Sequence, residues 1–424
     1  MNKELKTWHF GINNDKLVDL VLEGKKTATT SLYNGDVDEV GTETILVYDN
    51  EKQACITKTK QNIICEFKNI DWNIAILEGE NDNLEEWRKE HIKFFKSIDA
   101  NFTESTKVVV EIFEVVRNLK KERLELGKLI ANNNLDIITK IETIEEINAG
   151  FNNSIFNVND KYIIKVCGNE QKETLFDVEN NFYVENKNNK NIPILYKYDN
   201  SKSIVPYVYE IIEKIDGKSV YYFWYKWNED MRKRFIKSLI DIIKQFHVKK
   251  SVDDHWKDKI KNEVITNFTL CKNLFTEEEQ NIIEKSFQKY DEVLSDNRYA
   301  LIHNDLHFDN IIIDKKGEIK IIDFNDSIIA PFDYDMRILF MCKKQPWKWA
   351  NVEMDPYQKP EDYRNIIDYI KQYYNELTNI KYLDERMLIY AILNDIRHLP
   401  KYKSKELVYN ILNNSTQLLD RFCQ

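Results

Sequence analysis

Residues 301–340 read LIHNDLHFDNIIIDKKGEIKIIDFNDSIIAPFDYDMRILF, and they decide how the rest of the chain is taken. His303, Asp305 and Asn310 set an H-x-D-x-x-x-x-N spacing. Asp323 opens D-F-N-D after two short apolar runs, IIID and IKII, around the turn DKKG. Those runs read as a hairpin that would carry both polar motifs to one place. Phosphoryl transfer needs a carboxylate to orient an acceptor hydroxyl, and oxygen ligands to hold Mg²⁺ on nucleotide phosphates. Asp305 suits the first task. Asn310 and Asp323 suit the second, because magnesium takes hard oxygen donors.

With those residues in view, the stretch resembles the aminoglycoside phosphotransferase (APH) family of the protein-kinase-like fold. That family's loop commonly runs H-G-D-x-x-x-x-N, and its metal motif I-D-F/W-x-D. Asn304 and Asn325 stand where protein kinases usually carry Arg before the catalytic Asp and Gly after D-F, which favours the small-molecule branch. P-F-D-Y-D-M-R, residues 331–337, is similar to that branch's P-x-x-Y-D-L-A, and would make Asp335 a structural acid at a helix start. The resemblance implies ATP as phosphoryl donor, with GTP left open, together with Mg²⁺. Its acceptor would be a hydroxyl of a small molecule, an aminoglycoside-like antibiotic or a hydroxyl metabolite.

Upstream, INAGFNNSIFNVNDKYIIKV (147–166) reads as strands separated by two turns. Gly150 and Asn153 match the family's G-x-x-N at a nucleotide-covering turn. Lys165 is then the expected phosphate lysine, a mobile cation able to reach nucleotide oxygens. Its helix partner is expected at Glu179, with Glu173 and Glu185 as alternatives. The strand entering Asp216-Gly217 would be the interlobe hinge, where the backbones of Lys214 and Ile215 read a base edge and Ile212 lines the base pocket. Beyond Tyr221 the chain turns helix-rich, as a bilobal kinase does. Residues 341–362 are rich in aromatics and acids. Glu353, Asp355, Trp347 and Trp349, with Asp395 further on, are candidates to meet a cationic sugar.

The first 118 residues have another texture. ETILVYD, QACITKT, NIICEF and KVVVEIFEVV are β-branched runs; one helical stretch precedes them and a second falls between the last two. A small barrel with an apolar interior and flanking helices fits. GKKTATTSL (24–32) and AILEGENDNLEEWRKEHIKFF (75–95) resemble the ASCH (ASC-1 homology) domain, a PUA-like barrel. In that family G-x-K-T-x-T and E-G-E-x-D-x-S-L-x-x-W-R-x-x-H-x-x-F-F recur. The resemblance implies binding of RNA or a modified nucleoside. One branch hydrolyses an N-acetylated cytidine with a Lys, a Thr and a Glu; Lys26 and Thr29 match the first two, and Glu78 is the candidate third. Asn81 and Asn83 depart from the family's Gly and Ser, and the hydrolase branch lacks E-G-E-x-D, so binding is expected here over hydrolysis.

The expected architecture is α+β: an ASCH-like barrel over 1–118, a helical linker or first kinase helices over 119–146, and a kinase-like domain over 147–424. Within the last, the N-lobe would end near 215 and the C-lobe would begin near 218. A net charge of −10 argues against a long RNA footprint and against DNA, and favours a single-nucleoside pocket or short RNA. The six cysteines are widely spaced, with neither metal nor redox pairing in view. MNKELKTWHF lacks an apolar signal core, and no apolar run approaches the roughly 20 residues of a bilayer span, so a cytoplasmic location without membrane partners is expected. The other readings make the chain a nucleoside or RNA sensor with a regulatory kinase-like part, or an ASCH-type amidohydrolase.

Overall fold

A computed structural model describes residues 5–147, 153–250 and 255–423. Gly150, expected at a nucleotide-covering turn, lies outside the described residues. The chain divides into two compact units: residues 1–169 with 200–209, and residues 170–199 with 210–424.

The first unit opens with β1 (Thr7–Trp8), helix α1 (Asn14–Leu22), β2 (Ala28–Leu32), β3 (Glu43–Val47), β4 (Gln53–Glu66), helix α2 (Leu84–Ile98) and β5 (Lys107–Arg117). The strands form one sheet in the order β1-β3-β4-β5-β2. Register shifts near Ile56 and Thr59 interrupt the long β4–β5 ladder, and such bulges bend and twist a sheet. Alternating residues build two apolar clusters. Leu17, Val18 and Val21 of α1 meet Phe10, Leu46, Tyr48, Ala54 and Phe113 in one. Trp87 and Phe95 of α2 meet Phe67, Phe102, Val108 and Val110 in the other. Helix α2 starts where the Asn83 side chain accepts the Glu86 amide at 2.9 Å, with Glu85 and Glu86 favourably placed on the helix dipole.

Helix α3 (Leu119–Asn132) follows, capped by Asn118 on the Lys121 amide at 2.9 Å. Of the stretch expected to be helical through 146, the last residues form a strand instead, β6 (Ile144–Ile147). Two adjacent acids, Glu145 and Glu146, hide that strand from a hydrophobicity reading. β6 pairs antiparallel with β7 (Asn153–Val158), and β7 with β8 (Tyr162–Cys167). Gly127 lets α3 sit close on this ladder, since a Cβ there would lie 2.8 Å from the Phe156 ring.

The second unit holds helix α4 (Glu173–Glu185), β9 (Leu195–Asp199), most of β10 (Tyr209–Glu213), β11 (Gly217–Ser219) and helix α5 (Glu229–Phe246). Asn228 caps α5 by accepting the Met231 amide at 2.9 Å. The 301–340 stretch then forms two small ladders. β12 (Tyr299–Ile302) pairs with β15 (Ile328–Pro331), while β13 (Ile311–Asp314) pairs with β14 (Ile319–Ile321) and β11. The nesting sets the H-x-D-x-x-x-x-N loop between β12 and β13, and D-F-N-D between β14 and β15. Among later helices, α6 (Leu383–Tyr402) buries Arg386 against Asp333 at 2.7 and 3.0 Å. Among the described residues no helix is long and apolar enough to cross a membrane.

Candidate active site

In the second unit, Asp335 organises the loop backbone. Its carboxylate accepts the His303 amide at 3.2 Å, the Asn304 amide at 2.7 Å and His247 Nε2 at 2.9 Å. Burial works against its charge, but His247 and the backbone donors keep its pKa below the usual carboxylate range. Its oxygens therefore serve the amides of the loop, not those of a helix start as the sequence suggested. Asn304 takes a left-handed φ of 70°, and three contacts hold it there. Besides Asp335, Arg337 Nη2 donates to its carbonyl at 2.5 Å, and its own amide group donates to the Asp326 carbonyl at 2.9 Å.

That turn presents Asp305. Asn310 Nδ2 donates to the Asp305 carbonyl at 2.9 Å and to its Oδ2 at 3.3 Å, and His307 Nε2 lies 3.4 Å from the same oxygen. Burial would raise the Asp305 pKa, yet His307, His303 and Arg337 bring it below its ordinary value. His303 Nδ1 accepts the Asp305 amide at 3.2 Å, which leaves the proton on Nε2 to donate to the Ile322 carbonyl at 2.9 Å. The loop thus offers an ionised carboxylate on a fixed backbone.

Asp323 also has a left-handed φ, 67°. Phe324 beside it is fully buried, stacked on Phe182 of α4 at 3.9 Å and 4.9 Å from the His303 ring. Its amide donates to Glu179 Oε1 at 3.3 Å, and Tyr183 donates to the same oxygen at 3.3 Å. Glu179 is thus seated against the D-F-N-D turn. Burial, followed by the charges of Asp305 and Asp323, pushes the Asp326 pKa up. This field and these donors fit a hard divalent cation. Asn310 spends its NH₂ on Asp305 and so keeps its carbonyl oxygen for a ligand, and Asp323 adds carboxylate oxygens.

The remaining expected positions are dispersed. Ile212 is buried, and Lys214 and Ile215 are half-buried. Asp395 is closed off by Lys348 at 2.7 Å, and Glu353 accepts the Tyr222 hydroxyl at 2.7 Å. Asp355 and Trp347 are exposed and Trp349 is half-buried.

In the first unit, Asn153 opens β7 and Lys165 is buried in β8 at the rung of Ile155. A separate polar cluster lies in the N-terminal part. Lys26, 1% exposed, donates to Glu78 Oε2 at 3.1 Å and also to Glu80. Thr30 Oγ1 donates to Glu78 Oε1 at 2.6 Å, and His91 Nε2 lies 3.5 Å from Glu78 Oε2. His91 stacks on Trp87 with centroids 4.0 Å apart. Burial disfavours the Glu78 charge, but Lys26, His91 and Thr30 hold its pKa down to about 2. Burial likewise disfavours charged His91, and Glu78 more than compensates, raising its pKa. Two backbone contacts join the motifs: the Thr27 amide donates to the Leu77 carbonyl at 2.7 Å, and Gly79, at φ 66°, lies where a Cβ would be 2.3 Å from the Lys25 oxygen.

The model of the phosphotransferase enzyme family matches residues 143–364, just over half of the chain. The chain belongs to that family. The ASCH domain model matches residues 6–117. Among solved structures, the ADP-bound aminoglycoside phosphotransferase APH(2'')-Ib is 18% identical, with 69% of this chain and 98% of that one covered at a TM-score of 0.50. A second, the GDP and kanamycin complex of APH(2'')-IIIa, is 16% identical, covering 70% and 99% at a TM-score of 0.51. At these identities they show the fold: the C-terminal part is kinase-like. An ASCH domain from Lactobacillus crispatus JV V101 is 26% identical over 27% of this chain and 80% of its own, with a TM-score of 0.26. No curated protein matches the chain.

As a member of the phosphotransferase enzyme family, the chain is a small-molecule kinase. Several of its residues escaped the sequence reading. Thr30, not Thr29, reaches Glu78; strand alternation from buried Ala28 sets that parity, and Thr29 falls on the other face. His307 stood at an unassigned position of H-x-D-x-x-x-x-N and His247 in no quoted motif, and only the fold brings His247 to Asp335. Glu80 stood inside the E-G-E-x-D phrase and His91 in the W-R-x-x-H that follows it, both without an assigned role.

Proposed function

We propose that this phosphotransferase moves the γ-phosphoryl group of MgATP, or MgGTP, to a hydroxyl of a small molecule. The observation that carries this is Asp305: an ionised carboxylate, oriented by Asn310, on a loop whose amides are clamped by Asp335. Asp305 would accept the hydroxyl proton as the acceptor oxygen bonds to the γ-phosphorus and the bridging oxygen leaves with the nucleoside diphosphate. Lys165 would hold phosphate oxygens, Gly150 and Asn153 would take part in binding the nucleotide, and Ile212, Lys214 and Ile215 would meet the base. Asn310 and Asp323 would hold Mg²⁺, which supplies charge neutralisation on the phosphates. Glu179, seated on D-F-N-D, would keep that turn in place. The ADP and GDP of the solved neighbours support a nucleotide donor without deciding the base. Asp395 is already neutralised by Lys348, so a cationic acceptor would draw on other acids.

The N-terminal module would bind a nucleoside or short RNA. Lys26 is committed to two carboxylates, and Thr29 is not the threonine that meets Glu78, so the cluster reads as a recognition edge before a hydrolytic one. Asp305→Asn tests the kinase reading. With a panel of aminoglycosides and hydroxyl metabolites, nucleotide consumption should drop by about 10²–10⁴-fold while MgATP binding persists. Full consumption by the variant would overturn the assignment.

A further inference from the structure

The two family matches meet inside the first unit, at a buried cluster that no motif announced. Lys52, at the N-terminal module's β3–β4 turn, pairs with Glu146 of β6 at 2.8 Å. Their side chains are 9% and 2% exposed. Arg123 of α3 grips the same carboxylate at 2.7 and 3.2 Å, and its Nη1 donates to the Gln53 carbonyl at 2.7 Å. Lys52 Nζ also donates to the Ile147 carbonyl at 3.4 Å. The strand register gives that last contact its meaning. Ile147 pairs with Ile155, and Ile155 pairs with Lys165, so one rung runs from the carbonyl held by Lys52 to the phosphate lysine.

We infer that Lys52 is a positioning residue for the phosphotransferase reaction, through which the N-terminal module fixes the strand rung that carries Lys165. This rests on the proposed role of Lys165 at the nucleotide phosphates. Lys52 is not itself at that site, and touches it only through two strands. The contact ties kinase competence to the intact N-terminal module. The path continues inward: Lys52 follows β3, whose Leu46 shares an apolar cluster with Tyr48 and Phe10, and Lys26 Nζ stands 5.1 Å over the Phe10 ring.

The test uses the full chain and calorimetric titration with MgATP and MgGTP, below the thermal midpoint of every variant. Lys52→Met keeps the aliphatic stem and removes the charge. It should weaken nucleotide binding about ten-fold, and Lys52→Arg should restore it to within about two-fold, within the span of ordinary couplings between sites. A Met variant that binds like the wild type overturns the inference. So does an Arg variant as weak as Met, since loss of packing alone would then explain the effect. Wild-type protein that binds neither nucleotide overturns the kinase reading, and this inference with it. Should Lys52→Met fail to fold, hydrogen exchange on the wild type decides. MgATP should slow exchange in 52–54 together with 144–147, and protection confined to one of the two segments overturns the coupling.

Discussion

At the scale of single residues, charge burial makes the sharpest statements. Glu78 has a folded pKa of about 2, below the ordinary carboxylate value of 4.5. Its stabilising contribution is complete above about pH 4.5 and is lost as the pH falls through about 2. His91 has the opposite sign. Its pKa is raised, so its contribution is complete below the ordinary 6.5 and is lost as the pH rises through the folded value. The thermal midpoint of the N-terminal module should therefore fall as acid is added across about pH 4.5 to 2, and Glu78→Gln should flatten that slope. Circular dichroism melts of both proteins measure it, and parallel slopes would count against the buried pair. In the catalytic loop, Asn304→Ala forces a Cβ-bearing residue lacking the amide donor into the left-handed region, at a cost of roughly 1–2 kcal/mol. Asn304→Gly should recover the backbone share while leaving the Asp326 carbonyl without its donor, a difference that urea unfolding resolves. The motifs named Lys26 and Glu78, but neither the buried pairing of Glu78 with His91 nor the left-handed turn at Asn304 was legible in the sequence. H-x-D-x-x-x-x-N names Asp305, but Asn304 in a left-handed turn and Asp395 covered by Lys348 depend on chain segments far apart in number.

At the scale of elements, the sequence speaks clearly where a period or a cap is intact. Asn228 caps the helix that follows it, and IIID and IKII pair as the hairpin that two short apolar runs around a turn suggest. It fails where chemistry replaces hydrophobicity: β6 reads as charged because Glu146 is buried against Lys52 and Arg123, not against carbon. Helix α3 offers a test in which two effects compete. Gly127→Ala would normally favour a helix by about 1 kcal/mol. Here the new methyl would lie 2.8 Å from a Phe156 ring that is wholly buried. Overpacking of that kind costs roughly 1–3 kcal/mol, so the substitution should destabilise the protein. A raised midpoint in guanidinium would show that the ring moves aside. Arg386→Ala makes a simpler case, since it strands the buried Asp333 carboxylate and should cost about 3–5 kcal/mol.

At the scale of the whole molecule, the motifs and the compact units divide the chain differently. A reading of motifs ends the N-terminal domain near Asn118, because the strand-rich texture stops there and the ASCH match ends at 117. The packing continues to 169. Lys120 reaches the Tyr48 hydroxyl at 3.0 Å, Arg123 reaches the Gln53 carbonyl, and Lys52 reaches Glu146, so each side of residue 118 completes hydrogen bonds for the other. Motif spacing cannot report this, because the joining residues are ordinary lysines, arginines and glutamates whose partners are set by tertiary approach. The physical consequence concerns cleavage. Buried charges separated from their partners cost several kcal/mol each, so a chain cut at this point has strong reason to stay together. With a protease site inserted between Asn118 and Leu119 and cleaved in the folded protein, the two pieces should co-elute on size exclusion at low micromolar concentration. Lys52→Ala combined with Arg123→Ala should release them. Pieces that part without those substitutions would mean that the motif boundary, and not the packing boundary, is the physical one.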